Sequence, residues 1–251
     1  MAFLQVGYKS EAMKKGCAFN AVIPDGCSAE NRCPVVYLLH GLSDDHTIWM
    51  RRSSIERYAE KYGVAVIMPD GGRSFYTDMK HGGAYYTAIA EELPEFVNRM
   101  FPVSRERKDT FIAGLSMGGY GALKIALRDP ERFAAAGIMS AVTDIPEKFD
   151  SGIFTQELWA DIFGTKEDAV KDGNDIFTLL EQVKDRKDAP AVIHFCGDND
   201  FLLQDNRKLN AAFLRLNWKN YFYRETPGVH NWEYWDTHIQ DIFQKFFTGD
   251  K

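Results

Sequence analysis

Short apolar runs alternating with longer stretches of helical spacing restrict this chain more than any other feature of its sequence. The runs lie at 35–39, 64–68, 110–113, 134–139, 191–195 and 221–224. Four of them stop at glycine-containing turns: His40–Gly41, Pro69–Asp70–Gly71–Gly72, Gly114 and Cys196–Gly197. Strands that are apolar along their whole length belong to a parallel sheet covered on both faces. The stretches between them read as helices at 48–62, 85–100 (across Pro94), 118–127, 201–216 and 232–247. The segments 4–8 and 17–23 read as antiparallel strands leading into the sheet. The expected class is α/β, with a mostly parallel, doubly wound central sheet flanked by helices.

With 251 residues, the chain suits one α/β domain, 1–251, with no room for a second full catalytic domain. Hydrophobic residues make up 45% and charged residues 26%, as in an ordinary soluble globule. A formal net charge of −6 disfavours nucleic acid as a partner, because phosphates need a basic face. No window reaches the roughly 18 apolar residues of a membrane span, and residues 1–11 form neither a signal peptide nor an anchor. A cytoplasmic location without membrane attachment is therefore expected, and a homo-oligomer is allowed. Cys17, Cys27, Cys33 and Cys196 show no metal-ligand spacing, so four reduced, mostly buried thiols are expected. A Cys27–Cys33 bridge is sterically conceivable, but nothing in the sequence demands it. Between 140 and 190 the chain is longer than a crossover needs. The expectation there is a small partial cap, 145–189, inserted after the strand that follows the nucleophile helix.

The strongest motif is Gly114–Leu115–Ser116–Met117–Gly118, a G-x-S-x-G pattern directly after a strand and directly before a helix. That context defines the nucleophile elbow of the α/β-hydrolase fold, a strained turn that lifts the serine hydroxyl clear of the sheet. Gly114 and Gly118 are expected because a side chain at either would strike the neighbouring strand or helix. Taken without that context, a five-residue match occurs by chance in glycine-rich turns.

Acyl transfer passes through a tetrahedral oxyanion, and each preorganised donor to it is worth about 10²–10³ in rate. The backbone N–H groups of Met117 and Leu42 are the expected donors, the second because Gly41 lets the loop after strand 35–39 turn inward. His40 is expected to brace that loop. In this fold the acid and then the base follow the serine. Of the later histidines, His194 falls inside an apolar strand and His238 inside the last helix, where its ring would ride on the surface. His230 lies in the loop between the last strand and the last helix and is the expected base. Asp200, in Gly197–Asp198–Asn199–Asp200–Phe201, is the expected acid, ahead of Asp198 and the remote Asp144. A calcium-loop reading of the same segment fails, since Leu203 and Leu209 stand where glycine and glutamate are needed.

Together, His40–Gly41–Leu42, the elbow continued through Gly119–Tyr120–Gly121–Ala122, Gly197–Asp198–Asn199–Asp200–Phe201–Leu202 and Gly228–Val229–His230–Asn231–Trp232 resemble the esterase D family. That family includes S-formylglutathione hydrolases, tributyrin-type esterases, feruloyl and acetyl-xylan esterases, and mycolyltransferases. Arg73–Ser74–Phe75–Tyr76–Thr77–Asp78 is most similar to the tributyrin-type and cinnamoyl esterases. The resemblance implies cofactor-free hydrolysis of short acyl or aryl esters by Ser116, Asp200 and His230. S-formylglutathione hydrolases carry a cysteine close after the His-Gly loop, where this chain has Ser43–Asp44–Asp45.

The expected reaction is therefore that of a serine carboxylesterase acting on a small-molecule ester, with no metal. The alternatives are a glutathione thioesterase and an acyltransferase using the same triad. Trp49, Phe75, Tyr76, Trp159 and Trp232 are the candidate pocket walls.

Overall fold

The computed structural model describes residues 1–248. Eight strands form one sheet in the order β1-β2-β4-β3-β5-β6-β7-β8. They are β1 (Ala2–Ser10), β2 (Lys15–Ile23), β3 (Val35–Leu39), β4 (Ala65–Pro69), β5 (Thr110–Leu115), β6 (Ala135–Met139), β7 (Ala191–Gly197) and β8 (Tyr221–Thr226). β1 and β2 pair antiparallel, as does β2 with β4, and every other pairing is parallel. The helices are α1 (Ile48–Arg52), α2 (Ile55–Tyr62), α3 (Leu93–Met100), α4 (Met117–Arg128), α5 (Ile145–Ser151), α6 (Gln156–Phe163), α7 (Lys166–Lys171), α8 (Ile176–Val183), α9 (Leu203–Arg215) and α10 (Trp232–Thr248).

Side chains alternate across the strands and fill two cores. Val35, Tyr37, Leu39 and Ile112 face one layer with α3, α4, α8 and α9. Val36, Leu38, Phe111 and Ala113 face the other, with α2 and α10. This is the mostly parallel α/β architecture expected from the apolar runs. Because β3 to β8 run parallel, the loops after β3, β4, β5, β7 and β8 emerge at one edge, where ligands of such sheets bind. Among the described residues, no helix is long and apolar enough to cross a membrane.

Two local expectations need correction, and a third, the helix over 85–100, holds with a change of pitch. The helix expected over 48–62 is broken into α1 and α2 at Ser53, whose hydroxyl turns back onto the Trp49 carbonyl. The next amide, Ser54 N–H, is drawn away to Asp236 of α10 at 3.1 Å. Through Pro94 the helix does continue, but only after widening to a π-helical stretch, Thr87–Glu92, so that Pro94 falls in the first turn of α3. The thiols are not all reduced: Cys27 and Cys33 form a disulfide, leaving Cys17 and Cys196 free. Backbone bonds Cys27 N–Pro24 O and Ser28 N–Asn31 O fold the loop until the two Cα atoms are 5.3 Å apart, within bridging range.

Candidate active site

Ser116 joins β5 to α4 with φ 53° and ψ −118°, a conformation a non-glycine residue holds only when its surroundings impose it. The imposition is visible. Ser116 N–H donates to the Met139 carbonyl at 2.9 Å, and its carbonyl accepts from Tyr120 N–H at 3.1 Å. A Cβ on Gly114 would lie 2.3 Å from the Gly118 carbonyl oxygen, and one on Gly118 would lie 2.5 Å from that of Leu39. Glycine at both positions is what allows strand, elbow and helix to close up.

His230, in the loop between β8 and α10, places Nε2 3.0 Å from Ser116 Oγ. Its Nδ1 lies 3.0 and 2.9 Å from the two carboxylate oxygens of Asp200. An ionised carboxylate only accepts, so Nδ1 carries the ring proton and Nε2 keeps a lone pair for the serine hydroxyl. Burial opposes the charge on Asp200. Hydrogen bonds from His230, from Leu202 N–H at 2.8 Å and from the Ser140 hydroxyl outweigh it and hold the carboxyl below its ordinary value. Ser140 in turn accepts from Trp235 Nε1 at 3.2 Å. The His230 ring packs against Phe201 at 4.5 Å and edge-on to Trp235 at 4.9 Å. The acid and base loops are stitched to each other: Asp198 N–H donates to Thr226 O at 2.9 Å and Asn199 N–H to Gly228 O at 3.0 Å. Asp198 itself turns outward and accepts from Gly228 N–H at 3.2 Å, so it belongs to the stitching.

The Leu42 segment closes on the elbow from the other side. A Cβ on Gly41 would come 3.8 Å from Ser116 Cβ. Met117 is the first residue of α4, so its N–H has no preceding helical carbonyl to bond. His40 is buried and braces this loop: Nε2 accepts from Gly71 N–H at 2.8 Å, and Nδ1 meets the Gly41 carbonyl at 2.7 Å. His194 is a satisfied core residue, bonded to Tyr221 and Asn206, and burial pushes its imidazole down to about 4. His238 departs from expectation. Its ring is buried and stacks on Phe195 at 4.7 Å, because Thr226 and Asp241 supply partners for both nitrogens.

A cleft of about 910 Å³ opens at Ser116 and His230. Of the tryptophans and Tyr76 expected as walls, only Trp232 lines it. Trp49 is buried behind Trp232, its indole N–H held by the Leu39 carbonyl at 3.2 Å. Tyr76 is held inside by its hydroxyl, which donates to the His40 carbonyl at 2.9 Å. Trp159 is wholly buried under Phe75 and Phe154, at 5.1 Å from each ring. Phe75 does line the cleft, with Phe154, Phe201 and Trp235. Phe201 follows Asp200 directly and packs on the same His230 ring, at 4.5 Å. Arg52, Arg73, Asp44 and Glu233 also line the cleft. Among the described residues, no group of three His, Cys, Asp or Glu side chains could hold a metal ion.

Residues 10–246 match the model of the Esterase family. An acetyl esterase of Caldicellulosiruptor saccharolyticus is 31% identical over 261 residues, covering 97% of each chain. The fluorophosphonate-binding serine hydrolase FphF of Staphylococcus aureus, solved with substrate bound, superimposes with a TM-score of 0.90 at 34% identity, covering 98% of each chain. The S-formylglutathione hydrolase FrmB of Staphylococcus aureus superimposes with a TM-score of 0.88 at 34% identity over the same share of each chain.

Proposed function

The chain belongs to the Esterase family and is a serine carboxylesterase, and on that premise we propose that it cleaves esters of short acyl or aryl acids at Ser116 through an acyl-enzyme. His230 Nε2 takes the Ser116 hydroxyl proton as Oγ attacks the ester carbonyl carbon. The carbonyl π electrons move onto oxygen, and the N–H groups of Leu42 and Met117 hold that oxyanion. Collapse of the tetrahedral adduct breaks the bond to the alcohol oxygen, which receives the proton from His230. Water then attacks the acyl-enzyme with the same His230 as base, releasing the acid and restoring the serine. Asp200 fixes the tautomer and stabilises the imidazolium.

The observation carrying this reading is the continuous chain Ser116 Oγ–His230 Nε2 at 3.0 Å and His230 Nδ1–Asp200 Oδ2 at 2.9 Å, opening onto the cleft. Residues 145–189 act as a partial cap, since Phe154 reaches the cleft while Phe149, Trp159 and Phe163 anchor it from behind. The aromatic end formed by Phe75 and Phe154 suits a small or flat acyl group. Ser116→Ala should abolish turnover of 4-nitrophenyl acetate with the thermal melt unchanged. Retained activity would reject the assignment.

A second reading, a thioesterase with an anionic leaving group such as glutathione, is favoured by one observation. Arg52 and Arg73 line the cleft and form no ion pair among the described residues. Side-by-side kcat/KM values for 4-nitrophenyl acetate, methyl ferulate and S-formylglutathione separate the two. Exclusive turnover of the thioester would replace the first reading.

A further inference from the structure

Lys124 takes no part in the steps above, yet it is wholly buried on α4, about two turns beyond Ser116. Its three hydrogen-bond partners are uncharged. Nζ donates to the Phe75 carbonyl at 3.2 Å, to Thr77 Oγ1 at 2.6 Å and to Asn174 Oδ1 at 3.1 Å. The Thr77 hydroxyl spends its own proton on the Phe75 carbonyl at 3.0 Å, so toward Lys124 it accepts. Three acceptors match the three N–H groups of an ammonium. The rings of Tyr120 and Tyr86 face it at 4.8 and 5.7 Å. Burial pushes this ammonium well below the ordinary lysine value, Arg128 adds to that and Asp78 opposes it. An apolar side chain would fill the same space without the desolvation cost, so packing alone does not account for a lysine here.

What the ammonium holds is a strained turn. Phe75 and Tyr76 both have φ of 51°, a region in which the Cβ of a non-glycine residue crowds the following carbonyl oxygen. Such a turn persists only where neighbours over-determine it. It presents Phe75 to the cleft beside Phe154, while the Tyr76 hydroxyl reaches the His40 carbonyl, one residue before Gly41. Asn174, just before α8, brings in the 145–189 segment, and Tyr120 of α4 adds a second tie there by donating to the Asn174 carbonyl at 2.8 Å.

We propose that Lys124 is a positioning residue that sets acyl-group specificity: it pins the 75–77 turn and the start of α8 to the nucleophile helix, and thereby fixes the Phe75–Phe154 end of the cleft. The inference rests on the esterase reading. On this proposal the acid half, retained in the acyl-enzyme, takes the aromatic end formed by Phe75 and Phe154, whose rings lie 5.8 Å apart, and the leaving alcohol takes the rest of the cleft, with Arg52 and Glu233.

The test compares wild type with Lys124→Met in two series of esters. The first is the 4-nitrophenyl esters of acetic, butyric and cinnamic acid. The second is the acetates of 4-nitrophenol, phenol and methanol. The wild-type/variant ratio of kcat/KM should differ at least about tenfold across the acyl series, the scale on which pocket contacts and ångström displacements act. Across the alcohol series it should stay within about twofold, since none of the three acceptors of Lys124 belongs to the part of the cleft with Arg52 and Glu233. Uniform loss in both series, or none in either, overturns the proposal. Should Lys124→Met fail to fold, Thr77→Val and Asn174→Ala each remove one acceptor and leave the rest of the tie. Folded variants with an unchanged acyl ratio overturn the proposal equally. Ester turnover that survives Ser116→Ala refutes the Ser116 acyl-enzyme on which the inference rests, whereas turnover lost in Ser116→Ala together with an unaltered acyl ratio in Lys124→Met refutes only the role of Lys124.

Discussion

Replacing Asp200 by Asn tests the hydrogen-bond logic of the site, because the two side chains are nearly the same shape. In the native site the carboxylate accepts from Leu202 N–H at 2.8 Å and from His230 Nδ1 at 3.0 and 2.9 Å. An amide has one accepting oxygen. Leu202 N–H is a fixed backbone donor in a buried turn and bonds Oδ1, so the amide oxygen keeps that place and the NH₂ group takes that of Oδ2, the oxygen nearer His230 Nδ1. Two donors cannot bond each other. The imidazole therefore gives up its Nδ1 proton and carries it on Nε2, which points at Ser116 Oγ only 3.0 Å away. A base with its lone pair turned away from the nucleophile does not take the proton. The same change in a Ser-His-Asp triad lowers kcat about 10⁴-fold, which is about 5 kcal/mol of barrier.

The assay is kcat for 4-nitrophenyl acetate, with thermal melts to show that folding is intact. Asp198→Asn is the matched control. Its amide oxygen can still accept from Gly228 N–H, the bond Asp198 makes at 3.2 Å, and the site is exposed. It should stay within about threefold of wild type, as surface substitutions do. An Asp200→Asn enzyme within tenfold of wild type, or a larger loss from Asp198→Asn, would refute the assignment of the acid.

Two more expectations follow from the same geometry. Leu42 is proposed to act through its backbone, so Leu42→Ala should leave kcat within about threefold, while Leu42→Pro, which deletes the N–H, should lower it about 10²-fold; equal effects would remove Leu42 from the oxyanion site. His194 is held neutral by burial, its value down from 6.5 to about 4. Protons therefore bind the unfolded chain preferentially below 6.5, so its contribution to stability is complete above that pH and fades as pH falls toward 4, by about 3 kcal/mol in all. Urea midpoints at pH 7, 5.5 and 4 should show a shallower acid loss for His194→Gln than for wild type, and parallel curves would count against it.

The parts of this molecule that can be read from its sequence are those that need a special backbone. Gly114 and Gly118 are legible because only glycine fits where the Cβ would sit 2.3 and 2.5 Å from a carbonyl oxygen. The positions of Ser116, Asp200 and His230 are legible because parallel strands end at a common edge, which turns three distant loops into neighbours. The walls are different. Trp49, Tyr76 and Trp159 have the size of pocket walls, but each side chain's place is decided by a partner outside its own element. For Trp49 it is the Leu39 carbonyl, for Tyr76 the His40 carbonyl, and for Trp159 the rings of Phe75 and Phe154. The disulfide is hidden for a similar reason, since the Cys27–Cys33 approach depends on turns that composition does not specify.

This difference bears on how specificity is built. Ser116 is held by the local backbone geometry of the elbow, and Asp200 and His230 by the bonds that stitch their two loops together. The shape of the cleft is held by contacts such as Lys124 to Phe75 and Asn174, which join segments about fifty residues apart in sequence. Such long-range contacts can be altered one at a time without touching the hydrogen-bond chain at Ser116. A family sharing one elbow can therefore differ in which acid it accepts through residues that never meet the substrate, and for this chain α4 is where the two kinds of constraint meet.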